Sequence, residues 1–399
     1  MFAHHSYDAL VVGARCAGAA TAMLMARRGL RVLAIDRAGY GTDTISTHAL
    51  MRGGVLQLHR WGVLPRLQEM GTPAVRETTF HYGDEEFTIA IRPSNGVEAL
   101  YAPRRTLLDR TLVDAARDAG AAVWHGYTLL DLTRRSDGRV CGATVQDPAG
   151  NAFTVKADLV VGADGVASSV ARLAGADTVR EGRHATAVIF GYFPRIDLTG
   201  YHWWYQPGVG AGAIPTNDGR HCIFAAIAPG RLRNGPWRDD RTAAFREALR
   251  QADPALPTLV AGPRPDGPLC VFAGRKGFLR QAFGPGWALV GDAGYFKDPL
   301  TAHGITDALR DAELLANAST TGTTAAFADY AATRDALSMP LFEVSDAIAA
   351  LDWDLDQIRA LHQTLNHAMK REVEHLYTMG DAGPPVMPAN SIIIEEEVL

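Results

Sequence analysis

The chain opens with two apolar runs separated by a helix of small residues. Residues 7–12 (YDALVV) predict a strand that ends at Gly13. Residues 17–29 (AGAATAMLMARRG) keep helical spacing up to a terminal glycine, and residues 30–36 (LRVLAID) predict a second buried strand. The pattern is that of a compact βαβ unit whose helix lies close to the sheet.

The hydrophobic pattern then changes several times along the chain. Residues 76–101 alternate around a Gly-Asp turn at 83–84, which predicts an antiparallel hairpin. A helix follows in RRTLLDRTLVDAARDAGA, then strands near 140–145 and in ADLVVGADG. Aromatic-rich strands occupy residues 183–279, and GWALVGDAG predicts one more buried strand. Helical patterns run from Gly304 to Tyr377 with an interruption near Pro340, before a proline-rich stretch and an acidic tail.

Pieces typical of a dinucleotide-binding domain therefore occur in separated blocks. We predict an α/β protein in which this domain is discontinuous, built from residues 1–75, 101–182 and 280–340. Residues 76–100 and 183–279 form a β-rich substrate domain inserted between these blocks. Residues 341–399 form a C-terminal helical region and tail.

Composition narrows the class of partner. The 399 residues carry a formal net charge of -5, which gives no reason to expect nucleic acid or an anionic membrane, so a small-molecule substrate is expected. The four cysteines are widely spaced and indicate neither a metal site nor disulfides. The opening MFAHHSYDAL lacks the features of a signal peptide, and no apolar run is long enough to span a membrane. A cytoplasmic protein is expected.

The loop after the first strand, GARCAG, departs from the dinucleotide-binding pattern GxGxxG. Gly13 permits the tight turn and Gly18 the close helix contact, but Arg15 replaces the middle glycine. The helix start at Ala14 and Ala17 offers N–H groups to a pyrophosphate, and the arginine could pair with its oxygens. The loop alone fits a plain strand-to-helix turn equally well.

The end of the second strand is the next candidate for a nucleotide contact. Asp36, followed by Arg37, sits where a carboxylate can accept hydrogen bonds from ribose hydroxyls, which favours FAD or NAD over NADP. A helix cap or a solvated strand end would explain the aspartate equally well.

Two later stretches put glycine and aspartate directly after buried strands. They are ADLVVGADGVASSVAR (157–172) and WALVGDAGYFKDPLTAHGITDAL (287–309). With GARCAG, Asp36 and RRTLLDRTL, they make almost the whole chain resemble the FAD-dependent monooxygenases of the single-component aromatic hydroxylase type. The wider group includes flavin-dependent halogenases and geranylgeranyl reductases. The resemblance implies FAD as cofactor and a Rossmann-like FAD-binding domain of the glutathione-reductase type with β-rich insertions.

The resemblance also assigns cofactor contacts. Asp292, after Gly291, would hold the ribityl hydroxyls, and Arg105 would contact the ribose or the pyrophosphate. Asp164 and Gly165 would support the pyrophosphate and the approach of NADH or NADPH, a transient reductant. The helix that begins within PLTAHGITDAL (299–309) would direct its N-terminus to the pyrimidine edge of the flavin and stabilise negative charge there. Its contacting residues would be Pro299, Ala302, His303, Gly304 and Ile305.

Two histidines and one arginine are open to more than one interpretation. His303, beside the expected flavin edge, could relay protons or could bond to backbone at the helix start. His48 could line the site as a catalytic residue or cap the following helix. Arg52 could contact a phosphate or lie at the surface. Trp203, Tyr205 and Phe224 could form an apolar substrate pocket or fill a core.

The resemblance implies a monooxygenase that hydroxylates a small, aromatic or otherwise electron-rich apolar substrate with O₂ through a flavin C4a-hydroperoxide. Reduction by a separate flavin reductase stays open. A halogenase, a geranylgeranyl-reductase-like enzyme and an FAD-containing accessory protein that modifies a partner are the alternatives. The apolar face of the C-terminal helices fits packing on their own domain or in a homodimer.

Overall fold

The computed structural model describes residues 6–233, 240–262 and 265–379. Its strands, in chain order, are β1 (Ser6–Val12), β2 (Val32–Asp36), β3 (Glu77–Tyr82), β4 (Glu85–Ala90), β5 (Ala122–His125), β6 (Thr128–Arg134), β7 (Val140–Gln146), β8 (Ala152–Gly162), β9 (Thr178–Glu181), β10 (Ala187–Pro194), β11 (Tyr201–Gln206), β12 (Val209–Thr216), β13 (Arg220–Ile227), β14 (Cys270–Phe272), β15 (Phe278–Arg280), β16 (Phe283–Gly284), β17 (Trp287–Leu289) and β18 (Tyr295–Phe296).

The helices connect these strands and cover their faces. They are α1 (Cys16–Arg27), α2 (Arg52–Arg60), α3 (Leu64–Glu69), α4 (Arg105–Asp118), α5 (Ser169–Ala174), α6 (Pro229–Arg233), α7 (Arg241–Ala252), α8 (Leu256–Leu259), α9 (Gly304–Thr321), α10 (Thr324–Ile348) and α11 (Leu355–Thr378).

The first sheet joins strands that are far apart in sequence. Its order is β16-β17-β8-β1-β2-β5, with β7 and then β6 added beside β8. The neighbours β17, β8, β1, β2 and β5 run parallel, which explains their continuous apolar runs, since strands of this kind are buried on both faces. The register pairs Val12 with Gly162 and Gly162 with Leu289, so three strands end at the same level.

The second sheet is made by both β-rich segments together. Its order is β14-β10-β13-β12-β11-β3-β4. The hairpin of β3 and β4 joins the sheet through a parallel pairing of β3 with β11, although more than 100 residues separate them. The strands β9, β15 and β18 form a small third sheet, in the order β18-β15-β9. The face of the second sheet is therefore continuous from β14 to β4.

The C-terminal helices differ from the sequence prediction at one point. Pro340 lies inside α10, and the chain is helical on both sides of it, so the predicted interruption near this residue is wrong. Buried residues on both sides, among them Ser338 and Leu341, hold the helix against the core despite the lost backbone N–H. The predicted boundary at residue 340 falls within this helix. The proline-rich stretch and the acidic tail lie outside the described residues.

Across the described residues, no helix is long and apolar enough to cross a membrane. The four cysteines are free: Cys16 and Cys222 are buried, and Cys141 and Cys270 are half-buried.

Replacing Gly13 with alanine should destabilise the fold more than replacing Gly120. The two residues have φ of 102° and 98°, so alanine is comparably strained at both, by about 1–3 kcal/mol. Only at Gly13 would the new Cβ meet backbone, at 2.3 Å from the Ala163 oxygen; at Gly120 nothing lies within 4 Å. We expect denaturant unfolding of the apoprotein to show a loss at least about 1 kcal/mol larger for Gly13→Ala. Equal losses would contradict a close approach at this turn.

Candidate active site

One cavity of about 720 Å³ extends from the turn after β1 to the start of α9. The turns that follow β1, β2 and β8, the loop 44–49 and the segment 296–308 surround it. Most of the residues predicted from the sequence lie on its walls. They are Gly13, Arg15, Ala17, Asp36, Arg37, His48, Arg105, Asp164, Gly165, Phe224, Asp292, Pro299, Ala302, His303, Gly304 and Ile305.

Three other predicted residues lie behind the cavity walls and shape the turns. The Ala14 N–H donates to Asp36 Oδ2 at 2.8 Å, and the Gly291 N–H donates to Asp311 Oδ2 at 3.1 Å. A Cβ on Gly18 would lie 1.7 Å from the Gly13 carbonyl oxygen, so only glycine fits there. Their contribution is to the backbone path.

Arg52 does not reach the cavity, and its predicted phosphate contact is wrong. Its guanidinium donates to the Ser94 hydroxyl at 2.9 Å and to the Arg92 carbonyl at 2.7 Å. Arg52 is the first residue of α2, and its side chain points to the loop after β4. The arginine therefore fastens that loop.

Asp109 on α4 organises the arginines at the end of the cavity formed by the turn after β1. It accepts two hydrogen bonds from Arg105, at 3.1 and 3.0 Å, and one from Arg15 at 3.3 Å. The Cys16 thiol donates to the same carboxylate at 3.0 Å. Two cations are thus held beside the N-terminus of α1, where unpaired N–H groups favour an anion.

Arg15 also binds the loop after β2, a role that its position in the sequence does not indicate. Its two terminal nitrogens also donate to Thr42 and to the Asp43 carbonyl, at 3.2–3.3 Å. The side chain therefore ties the loop after β2 to the rim of the cavity. Its contact with a pyrophosphate stays a prediction.

Two aspartates at the cavity are engaged by backbone. Asp36 accepts from the N–H groups of Ala14 and Ala38, each at 2.8 Å, and so links the end of β2 to the first turn. Asp164 accepts from the Ser169 N–H at 2.6 Å and therefore holds the start of α5. Both carboxylates line the cavity, and their predicted ligand contacts remain predictions.

Asp292, in the turn after β17, is a buried carboxylate that lines the cavity. Burial raises its pKa to about 6, and the nearby charges of Lys297 and Arg105 lower it by less. A carboxylate in this environment gains from hydroxyl donors, since hydrogen bonds to the ionised form offset its desolvation. The site fits a ligand with several hydroxyl groups at this point.

His48 lies in strained backbone, with φ of 46°, and is buried. Its ring stacks on Tyr192 at 5.6 Å, and within the described residues neither ring nitrogen has a hydrogen-bonding partner. Burial, followed by the charge of Arg104, lowers the pKa of this histidine to about 3, so its imidazole is neutral at neutral pH. The alternative that His48 caps the next helix is wrong, because Met51 is the cap residue of α2.

His303 is the residue just before α9 and is also buried. The alternative that it bonds to backbone at the helix start is wrong, because its Nε2 pairs with the Glu372 carboxylate of α11. Its other nitrogen, Nδ1, has no partner among the described residues. Burial lowers the pKa of His303, and Glu372 opposes this effect.

An apolar wall closes the cavity on the side of the second sheet. Cross-strand pairing places Phe190 beside Phe224 and Val188 beside Phe272, all on one face of β10, β13 and β14. Gly212 on β12 makes room for the Phe224 ring, since a Cβ there would lie 2.3 Å from Cε1. The wall therefore depends on the register of four strands.

Trp203 and Tyr205 lie outside the cavity lining, which corrects their assignment to the substrate pocket. They are on β11, which is separated from β13 by β12. Trp203 packs behind Phe224 and donates to the Thr78 hydroxyl at 2.9 Å. Tyr205 is buried against His362 of α11, with ring centroids 4.4 Å apart. Both residues fill the core.

The sequence analysis missed several residues of the site. Val188, Phe190 and Phe272 alternate with other residues on their strands, and this spacing could have singled out one face. Asp109 falls within the RRTLLDRTL motif, four residues after Arg105, which is the spacing of a helical ion pair. Glu372 carries no local signal of its role.

The chain is similar to known proteins over most of its length. The model of a family described as "FAD binding domain" matches residues 6–345. Menaquinone reductase of Mycolicibacterium smegmatis is 29% identical over 340 residues, which cover 79% of this chain and 76% of that protein. Digeranylgeranylglycerophospholipid reductase 1 of Methanococcoides burtonii is 26% identical over 341 residues, 78% of this chain and 73% of that protein.

Solved structures show the same fold at lower identity. The flavin-dependent brominase Bmp2 superposes with a TM-score of 0.77 at 19% identity, over 94% of this chain and 96% of that one. PqsL of P. aeruginosa, solved in complex with 2-aminobenzoylacetate, superposes with a TM-score of 0.74 at 18% identity, over 92% of this chain and 100% of that one.

The fold and the cavity define a dinucleotide-binding oxidoreductase. More narrowly, the chain belongs to the FAD-binding domain family, whose model matches residues 6–345, and it is an FAD-dependent oxidoreductase.

The residues present fit FAD. The helix start with its two arginines suits the diphosphate, Asp292 suits the ribityl hydroxyls, and the unpartnered nitrogens of His48 and His303 suit a heterocycle.

Replacing Asp292 with asparagine should weaken FAD binding. Charge-assisted hydrogen bonds contribute about 1.5–3 kcal/mol, so we expect an affinity roughly 10- to 100-fold lower, measured by titrating apoprotein with FAD and following flavin fluorescence. Asp329→Asn, on the exposed face of α10, is the control and should bind FAD as the wild type does.

The same assignment predicts a pH dependence. The pKa of Asp292 is raised to about 6 without ligand. Hydroxyl donors favour the ionised carboxylate, so bound FAD should lower this pKa, and binding should weaken as the pH falls below about 6. The asparagine variant should lack this contribution. If the wild-type and variant affinities change in parallel between about pH 7.5 and 5, Asp292 does not hold the cofactor.

Proposed function

We propose that the protein is an FAD-dependent monooxygenase that hydroxylates a small, planar, apolar substrate, with O₂ as oxidant and NADH or NADPH as transient reductant. The observation that supports this proposal is the wall of Val188, Phe190, Phe224 and Phe272 on the cavity. Aromatic side chains on three adjacent strands offer a flat apolar surface, which suits an aromatic or other electron-rich ring.

Bound FAD supplies the electron transfer and the activation of O₂, and the side chains supply position and exclusion of water. The apolar wall keeps water from one side of the cavity, where Phe296 packs against Phe272 with ring centroids 6.2 Å apart. Exclusion of water favours transfer of activated oxygen to the substrate over its breakdown without product. The wall therefore orients the substrate and keeps the site dry.

His48 provides a polar contact close to this wall. Because its imidazole is neutral and both ring nitrogens are unpartnered among the described residues, it can donate to or accept from a neutral hydroxyl or carbonyl group. This arrangement supports a substrate that carries one such group on an apolar ring. In this proposal His48 orients the substrate.

Reduction of a carbon–carbon double bond or a quinone is the second candidate. It is favoured by the curated relatives named menaquinone reductase and digeranylgeranylglycerophospholipid reductase. The same apolar wall accommodates an isoprenoid or quinone ring. Oxygenation and reduction differ in whether oxygen enters the product, and this difference decides between them.

Halogenation is less well supported. The lysine in the flavin motif, Lys297, lines the cavity, but its ammonium is paired with the buried Asp307 carboxylate. An amine that reacts with hypohalous acid must be neutral and accessible. Burial lowers the pKa of Lys297 to about 7, which favours the neutral amine, but its pairing with Asp307 keeps the nitrogen engaged. Lysine chemistry at the flavin is therefore a weak basis for this activity.

The test is a set of parallel incubations of FAD-loaded protein with phenols, indoles and quinones. Aerobic samples with NADH or NADPH, with and without an added flavin reductase, are analysed by mass spectrometry for a gain of one oxygen atom. Anaerobic samples are analysed for a gain of two hydrogens, and samples with bromide or chloride for halogenated product. Oxygenated product supports the proposal. Product formed only under the anaerobic or halide conditions would contradict it.

Phe224→Ala should raise the KM for the substrate found in this screen. Removing a buried aromatic ring costs about 1.5–3 kcal/mol, so we expect KM to rise roughly 10- to 100-fold with less oxygenated product per NADH consumed. Phe87→Ala, on the exposed strand β4, is the control. If Phe224→Ala and the control leave KM and coupling equally unaffected, the substrate does not bind on this wall.

A further inference from the structure

A chain of buried ionic groups runs from His303 into the core. His303 Nε2 pairs with Glu372 Oε2, and Glu372 Oε1 accepts from Arg310 Nη1 at 2.6 Å. Arg310 also donates to Asp307 at 3.1 Å and to Asp311 at 2.8 Å. The side chains of this chain of groups are at most 3% exposed.

The hydrogen bonds of this chain determine which nitrogen of His303 carries a proton. Arginine is always protonated, so Arg310 holds Glu372 in the ionised form. Burial opposes ionisation of this carboxyl, but the charges and hydrogen bonds of His303 and Arg310 outweigh burial and lower the pKa of Glu372. An ionised carboxylate accepts, so Nε2 carries the hydrogen. Nδ1 is then the nitrogen that can gain or lose a proton, and it is the one without a protein partner.

Charges from every element around His303 act on that proton. Glu372 and the half-buried His375 come from α11, Asp307 and Arg310 from α9, Lys297 from the segment before α9, and Asp292 from the turn after β17. The face of α2 here consists of Gly53 and Gly54, which add no charge. Near His303, the cations Lys297 and Arg310 face the carboxylates of Asp292, Asp307, Asp311 and Glu372. A new negative charge in the cavity would add to the field of these carboxylates and favour protonation at Nδ1.

The same three side chains, His303, Asp307 and Glu372, could in principle hold a metal ion, since one ligand atom from each lies within 4.8 Å of the others. Both carboxylates, however, already pair with cations, Asp307 with Lys297 and Glu372 with Arg310. A divalent ion would have to displace these buried pairs or add to their positive charge. The arrangement therefore favours a proton over a metal ion.

We propose that His303, positioned by Glu372, takes up a proton at Nδ1 when the bound flavin is reduced. Reduction by a hydride donor brings two electrons and one proton to the cofactor and leaves one negative charge on it at neutral pH. The further proton at Nδ1 comes from water, and the charge of the imidazolium offsets that of the cofactor. His303 lines the cavity at the start of α9, where this negative charge is expected.

The first test is the reduction potential of the FAD-loaded protein as a function of pH, with dithionite as reductant. In this proposal His303 has one pKa beside oxidised flavin and a higher pKa beside reduced flavin. Between these two pH values, reduction takes up one extra proton. The reduction potential then changes by about 30 mV more per pH unit, because a tenfold change in the equilibrium constant of a two-electron couple corresponds to about 30 mV. His303→Gln keeps the pair of Glu372 and Arg310 but cannot take up this proton. We expect the wild-type curve to be steeper than that of the variant over part of the range from about pH 5.5 to 8.5. Parallel curves would overturn the proposal.

Glu372→Gln tests the positioning role. Without the carboxylate the imidazolium is less stable, so the steep part of the curve should move to lower pH. Glu374→Gln, on the exposed side of α11, is the matched control and should leave the curve unchanged. An unshifted Glu372→Gln curve would show that Glu372 does not position the proton.

A direct measurement covers the case in which Glu372→Gln does not fold. In protein with ¹⁵N-labelled histidine, the Nδ1 resonance of His303 is assigned by its absence in His303→Gln. It should move from the position of an unprotonated nitrogen to that of a protonated one on reduction. An unchanged resonance would overturn the proposal. These experiments use neither O₂ nor substrate, so this inference needs only bound flavin, and its failure is distinct from that of the proposed oxygenation.

Discussion

The site depends on the register of three parallel strands. Val12, Gly162 and Leu289 pair side by side at the ends of β1, β8 and β17, so the turns that follow leave the sheet at the same level. A shift of one residue in either pairing would move one turn along the strand direction by about 3.3 Å and separate these turns. The close approach of Gly13 to Ala163 helps fix the register, because no larger residue fits between the first two turns. The cavity follows from this alignment.

The sequence was sufficient to predict the parts of the site that come directly after the ends of strands. Buried parallel strands read as apolar runs, and the glycine and aspartate residues after them mark the sheet edge, which is why Gly13, Asp164 and Asp292 could be placed near one another. Trp203 and Phe224 show where this reasoning stops. Both are aromatic residues on strands, but only the order of β11, β12 and β13 decides which one faces the cavity. That order is a property of long-range pairing.

The interior charges were still harder to foresee. Glu372 lies 69 residues from His303, on an amphipathic helix whose pattern indicates only that one face is buried. A buried carboxylate is costly unless it is paired, and here Arg310 pairs with Glu372, Asp307 and Asp311 together. Asp311 in turn accepts from the Gly291 N–H, so this cluster connects α11 with the turn that holds Asp292. The C-terminal helix is therefore part of the site's support, which agrees with packing of its apolar face on its own domain.

The fold narrows the chemistry to flavin-dependent oxidation and reduction, but one fold supports several such reactions, so the choice between them lies in the side chains around the cofactor. In this chain two features stand out at the cavity: the apolar wall around Phe190 and Phe224, and the ionic cluster that begins at His303. The wall bears on which substrate enters, whereas the cluster bears on how negative charge is stabilised after reduction. Since stabilising reduced flavin serves oxygenation and substrate reduction alike, the proposed choice between these two reactions rests on the wall and on His48, which also lines the cavity.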